Sequence, residues 1–159
     1  MEEKLVKDVM TKNVITVNKD TTVEELSELL LKNNITGAPV VDKDGKLIGM
    51  VTDADIITED IEPIFPLYFD PLIVSFAFME NFEKYKKDIK DYLEIKVEDI
   101  MTRRVKTVKE NTSVSDAVKI LVKDRINRIP VVDDENKVIG IVARADILKS
   151  MLDGAKGTK

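Results

Sequence analysis

Neither cysteine nor histidine occurs in this 159-residue chain. Their absence excludes disulfides, zinc sites with Cys or His ligands, and any nucleophilic constellation that needs a thiolate or an imidazole. Tryptophan and glutamine are missing as well. No apolar run approaches the ~18–20 residues that cross a bilayer, so no membrane span is expected. The charged start MEEKLVKDVM is unlike a secretory signal, and a cytoplasmic location is expected. A net charge of −5 argues against a general nucleic-acid binder. Catalysis finds no foothold: the phosphate loop G-x-x-x-x-G-K-[ST] is absent, and no carboxylate pair sits in a motif that divides acid from base. A non-enzyme is expected, with no obligatory cofactor and no metal site. Pairs such as Asp42 and Asp44 read as turn residues.

What is present is a repeat. Val6–Ile56 aligns without a gap on Val97–Ile147, with about 23 of 51 positions identical. VKDVMTKNVITVNKDTTV matches VEDIMTRRVKTVKENTSV, and APVVDKDGKLIGMVTDADI matches IPVVDDENKVIGIVARADI. Each copy is too small to bury an adequate core alone. The two are expected to pack with pseudo-two-fold symmetry, leaving equivalent clefts at the seam. The expected divisions are 1–56, an insert at 57–96, 97–152, and a flexible tail at 153–159.

Both copies follow one local script. Alternating Val14–Val17 and Val105–Val108 read as short strands. Thr21-Thr22-Val23-Glu24 is a capping-box pattern opening a helix with Val23, Leu26, Leu29 and Leu30 on one face, and its counterpart starts at Thr112. The helices stop near Asn33-Asn34 and Asp124-Arg125. Strands follow at Pro39–Asp42 and Pro130–Asp133, then turns in which Gly45 and Asn136 both tolerate positive φ. Second strands span Leu47–Val51 and Val138–Val142, and second helices begin at Thr52 and Ala143. The expected fold is α/β (α+β), β-α-β-β-α given twice.

The insert Ile57–Lys96 differs in kind. It holds every aromatic residue, namely Phe65, Tyr68, Phe69, Phe76, Phe78, Phe82, Tyr85 and Tyr92, and three of the five prolines. Residues 81–94 place Phe82, Tyr85, Ile89, Tyr92 and Leu93 on one face of an expected helix. The segment reads as a satellite core, as a homodimer surface rich in Phe and Tyr, or as a patch for a membrane surface or partner. All five arginines, Arg103, Arg104, Arg125, Arg128 and Arg144, lie in the second copy.

The DVMT and DIMT starts, the PVVD strands and the G-h-h-[T/A]-x-x-D-I ends, where h is apolar, resemble the CBS domain, which occurs in tandem as a CBS pair or Bateman module. The resemblance covers both copies and excludes the insert. It implies a cleft between paired copies that takes AMP, ADP, ATP or S-adenosylmethionine as a regulatory ligand. It also implies a homodimer whose four repeats form a flat disc, an energy-sensing role, and an effector protein that reads the bound state in trans. Asp55 and Asp146 would then accept ribose hydroxyls, while Thr52 and helix N–H groups meet phosphate. Adenine would sit by the backbone near Thr16 or Thr107. Thr36, Gly37, Ala38 and Pro39, and in the second copy Asn127, Arg128, Ile129 and Pro130, would line the cleft.

Thr52-x-x-Asp55 is equally an acceptable capping box without any ligand. Asp146 persists where Ala143 removes the capping hydroxyl, which favours a ligand over a cap. Arg144 stands where the first copy has Asp53, reversing the sign beside that site, and Arg128 stands where the first copy has Gly37. One good site is expected around Thr52, Asp55 and Arg128, and a poorer one around Thr16 and Asp146. The alternative is an interaction protein with vestigial clefts that acts through its aromatic insert.

Overall fold

The computed structural model describes residues 3–58, 83–84 and 86–156. Most of the aromatic insert, including Phe82 and Tyr85, lies outside the described residues. The chain divides into two compact units. One joins Met1–Asn18, Ala38–Met50 and Thr102–Lys159; the other joins Lys19–Gly37 and Val51–Met101.

The first copy builds β1 (Val17–Asn18), α1 (Val23–Asn33), β2 (Gly37–Val41), β3 (Leu47–Thr52) and α2 (Asp53–Ile56). Its sheet order is β1-β2-β3, with β1 parallel to β2 and Val17 opposite Val40. Residues 86–93 are helical. The second copy adds α3 (Val97–Ile100), α4 (Val114–Lys123), β4 (Arg128–Val132), β5 (Val138–Ala143) and α5 (Arg144–Lys156). Strands β4 and β5 pair antiparallel, with Ile129 opposite Val142. Helix α5 carries on through Lys156, so residues 153–156, expected as tail, are helical.

Local chemistry sets most boundaries. Thr22, one residue later than the expected box, caps α1: its hydroxyl accepts from the Glu25 N–H at 3.2 Å while its own N–H donates to the Glu25 carboxylate at 2.9 Å. Ser113 caps α4 by accepting from the Asp116 N–H at 3.0 Å. Asn34 (φ 52°) and Arg125 (φ 53°) end these helices in the left-handed region. The hairpin turns carry Gly45 at φ 78° and Asn136 at φ 64°, as the turn chemistry requires.

The leading strands are shorter than their alternation predicts. Val14–Val17 contributes only its last residue to β1, and Val105–Val108 shrinks to a single parallel bridge between Val108 and Val131. Proline is the reason. The Val108 N–H donates to the Pro130 carbonyl, and its own carbonyl accepts from the Val132 N–H. One step back along a parallel ladder would need an N–H on residue 130, which proline lacks. Pro39 stands at the matching position of the first copy.

The segment that opens each copy does not stay with it. Val6 N–H donates to the Thr112 carbonyl, Val114 N–H to the Lys4 carbonyl, and Thr11 pairs with Ile141 at 2.9 and 3.0 Å. Val6 is fully buried in a core of Val108, Ala117, Leu121, Ile129, Val131 and Val142, with Met10 against its edge. In the other unit, Val97 N–H donates to the Thr21 carbonyl and Val23 N–H to the Ile95 carbonyl, the same bonds at matching repeat positions. The hairpin tips also meet reciprocally: Leu47 N–H donates to the Asn136 carbonyl and Val138 N–H to the Gly45 carbonyl. Equivalent residues therefore exchange equivalent bonds, so these two tips are related by a local two-fold axis.

Candidate functional site

Asp55 and Asp146 both open a helix and both fold back on its start. The Asp55 Oδ2 accepts from the Thr52 N–H at 2.8 Å and from the Thr52 hydroxyl at 3.3 Å. The Asp146 Oδ2 accepts from the Ala143 N–H at 2.7 Å. Both aspartates are half-buried. The persistence of Asp146 beside Ala143 is thus explained by the backbone cap, which needs no hydroxyl, and ceases to favour a ligand. Each cap uses one carboxylate oxygen.

The first amide of each helix is also engaged. Asp53 N–H donates to the Thr36 carbonyl at 2.9 Å and Arg144 N–H to the Asn127 carbonyl at 3.0 Å. Of the helix-start amides expected to meet phosphate, two per copy therefore serve the fold. In α2 the closing carbonyl, on Ile56, accepts from the Tyr92 hydroxyl, a tie that the aromatic pattern of the insert did not foretell.

The remaining predicted residues separate by burial. Thr16 and Thr107 are half-buried just before the bridging valines, and Thr36 and Asn127 are exposed just before β2 and β4. Arg128 is half-buried at the start of β4. Gly37, Ala38, Pro39, Ile129 and Pro130 are buried, and Ile129 belongs to the core. The side chains of the last four are spent on packing and Gly37 has none, which leaves only backbone groups to meet a ligand. Arg144 is exposed, yet its Nε donates to the Ile126 carbonyl at 3.0 Å and its Nη2 to the Leu121 carbonyl at 2.9 Å. Sequence reasoning missed this engagement, because backbone carbonyls have no signature in residue type.

Among the described residues, no group of acidic side chains is placed to hold a metal ion, and no helix is long and apolar enough to cross a membrane.

A tandem of β-α-β-β-α units, each closing on a capped aspartate, defines a class of paired modules. The CBS domain model matches residues 6–62 and 97–153, and the chain belongs to the CBS-domain family. An uncharacterised protein of Methanocaldococcus jannaschii is 38% identical over 154 residues, spanning 93% of this chain and 91% of that one. The crystal structure of the Arabidopsis thaliana protein CBSX2 in complex with AMP is similar with a TM-score of 0.69 at 29% identity, covering 94% of this chain and 96% of that one. The CBS domain pair of protein MJ0100, in complex with 5′-methylthioadenosine and S-adenosyl-L-methionine, gives a TM-score of 0.68 at 32% identity, covering 98% and 99%.

Proposed function

We propose that the protein is a regulatory module that binds an adenosine-containing ligand of the AMP, ADP, ATP or S-adenosylmethionine class and signals in trans to a partner protein. The carrying observation is the likeness, over nearly the whole chain, to two CBS pairs, one with AMP and one with 5′-methylthioadenosine and S-adenosyl-L-methionine. At Asp55 and Asp146 one carboxylate oxygen serves the backbone cap, and this reading gives the other, Oδ1, to ribose hydroxyls.

In this reading, the Thr52 hydroxyl turns its one proton from Asp55 Oδ2 to phosphate, and the backbone at Thr16 and Thr107 edges the adenine. Thr36, Asn127 and Arg128 contribute side chains to the lining; Gly37, Ala38, Pro39, Ile129 and Pro130 contribute backbone. Arg128 presents a planar donor fork suited to phosphate where the first copy has Gly37. The copies should therefore bind unequally.

Calorimetric titration with AMP, 5′-methylthioadenosine and S-adenosylmethionine tests this. Asp55→Ala should weaken AMP at least about tenfold, consistent with loss of charge-assisted hydrogen bonds. Equal affinities for wild type and Asp55→Ala would overturn the assignment. In thermal unfolding, a ligand at 100 times its Kd should stabilise by about 2.7 kcal/mol. No shift with any adenosyl compound would instead favour an interaction protein acting through its aromatic insert.

A homodimer belongs to the same proposal. Leu31 and Ile57 in one unit, and Val122, Leu148, Met151 and Leu152 in the other, are all more than 60% exposed. Leu31 matches Val122 in the repeat, and Ile57 matches Leu148, so the apolar positions are duplicated. Light scattering should return twice the chain mass, and Leu148→Lys with Met151→Lys should return a monomer.

A further inference from the structure

We infer that Arg144 is a positioning residue that clamps the loop ahead of β4 and does not contact a ligand's phosphate. The inference rests on the adenosyl-binding reading: residue 144 holds the loop that lines the second copy's site and takes no part in recognising a 5′-phosphate.

The last carbonyls of a helix have no partners within it. At the end of α4 the chain closes on itself: the Arg125 N–H donates to the Val122 carbonyl at 3.3 Å and the Ile126 N–H to the Leu121 carbonyl at 3.2 Å. Arg144 then reaches over this closure. Its Nη2 adds a second donor to the Leu121 carbonyl at 2.9 Å, its Nε takes the Ile126 carbonyl at 3.0 Å, and its backbone N–H takes the Asn127 carbonyl at 3.0 Å.

One residue thus makes three hydrogen bonds to Leu121–Asn127. A guanidinium suits the task, because its donors are fixed in one plane and its charge complements the negative end of α4. Asn127 and Arg128 continue directly from the clamped carbonyl, and Asp146 follows two residues after the clamp. The loop edge of the second copy's site is therefore held by Arg144, and Asp146 by its own cap on the Ala143 N–H.

The first copy shows what the clamp replaces. Asp53 makes the matching backbone bond to the Thr36 carbonyl at 2.9 Å, but a carboxylate cannot donate to the carbonyls of Leu30 and Ile35. It is also the wrong sign for a helix C-terminus. The exchange of Asp53 for Arg144 therefore gives the loop ahead of β4 side-chain donors that its first-copy counterpart lacks. With two guanidinium donors turned to backbone, and a methyl at Ala143 where Thr52 has a hydroxyl, positions 143 and 144 offer little to a phosphate. The Asp146 carboxylate remains for ribose.

Two measurements test the clamp, both on the full chain. The first is amide exchange at Arg125 and Ile126, with no ligand, in wild type, Arg144→Gln and Arg144→Lys. Exchange should rise in the glutamine variant and return part of the way in the lysine variant, which keeps the charge at the helix end. The second is calorimetry with AMP and with 5′-methylthioadenosine on Asp55→Ala protein, with and without Arg144→Gln. Both ligands should weaken by the same factor, roughly 3–10-fold for the loss of hydrogen bonds to one loop. Unchanged exchange would overturn the clamp. So would an AMP affinity that falls tenfold while methylthioadenosine holds, since that pattern marks a direct phosphate contact. If neither ligand binds even the wild-type protein, the adenosyl-binding reading falls, and the exchange result alone upholds or overturns the clamp.

Discussion

Arg125 holds φ 53° with a Cβ in place, a left-handed conformation that costs an L-residue roughly 1–2 kcal/mol. Arg125→Gly should relieve part of that cost, raising stability by about 0.5–1 kcal/mol in denaturant titration after glycine's added unfolded-state entropy is subtracted. Glycines bracket the opposite case. A Cβ on Gly140 would run into Met10 Sδ and stand 3.3 Å from the Thr11 carbonyl, whereas one on Gly154 meets nothing within 4 Å. Gly140→Ala should cost about 1–3 kcal/mol by overpacking. Gly154→Ala, exposed within α5, should stabilise by up to about 1 kcal/mol; the same urea titrations should separate the two in sign. The aspartates show how far residue type alone leads. Thr52-x-x-Asp55 was legible as either cap or ribose contact, and the cap is present in both copies. Arg144 was legible as a reversed charge but not as a clamp, because its acceptors are backbone carbonyls, one in the last turn of α4 and one in the loop after it, 23 and 18 residues away in sequence.

At the scale of elements, the starts of α1, α2, α4 and α5 and the ends of α1 and α4 were legible to within a residue or two, because they depend on hydrogen bonds made locally; α3 and the run of α5 through Lys156 were not. Ser113→Ala should cost about 1 kcal/mol through loss of the cap on α4, measured by thermal unfolding. The same first turn carries an exposed ion pair, Asp116 with Lys119 at 2.7 Å. The Lys119 ammonium holds the Asp116 carboxyl below its usual range, and Asp116 in turn holds Lys119 above its own. The depressed carboxyl contributes stability that is present above the unfolded aspartate pKa and lost as pH falls through the folded value. The raised ammonium contributes stability present below the unfolded lysine pKa and lost as pH rises through the folded one. Asp116→Asn should therefore track wild type at strongly acid pH and fall slightly below it near neutrality; a gap that widened on acidification would contradict the sign. Strand lengths were read less well. Alternation marked Val14–Val17 and Val105–Val108 as strands, but pairing also depends on the partner, and Pro39 and Pro130 withhold the donor that longer ladders need.

At the scale of the whole molecule, the repeat seen in sequence and the compact units seen in space do not coincide. Val6 belongs by sequence to the first copy and by packing to the core of the second. Alignment reports similarity, not contact, so nothing in it shows that each opening segment crosses to the other copy. A chain lacking residues 1–11 should consequently lose the cooperative transition of the unit built on Val108, Leu121 and Ile129, with a fall in Tm visible by circular dichroism. Val6→Ala should cost about 1–3 kcal/mol by the methyl groups removed and the void left. A fragment whose unfolding matched the full chain would show that the exchanged segment is dispensable.

The sequence by itself determined the repeat, the β-α-β-β-α order within each copy, the turns and the family, because each depends on neighbours in the chain or on matching residues in the two copies. Only the tertiary structure decided which copy each opening segment completes, how far proline truncates the leading strands, and where the Arg144 guanidinium is spent. Those outcomes depend on backbone donors and acceptors brought together across long separations, and a carbonyl carries no mark of its residue type.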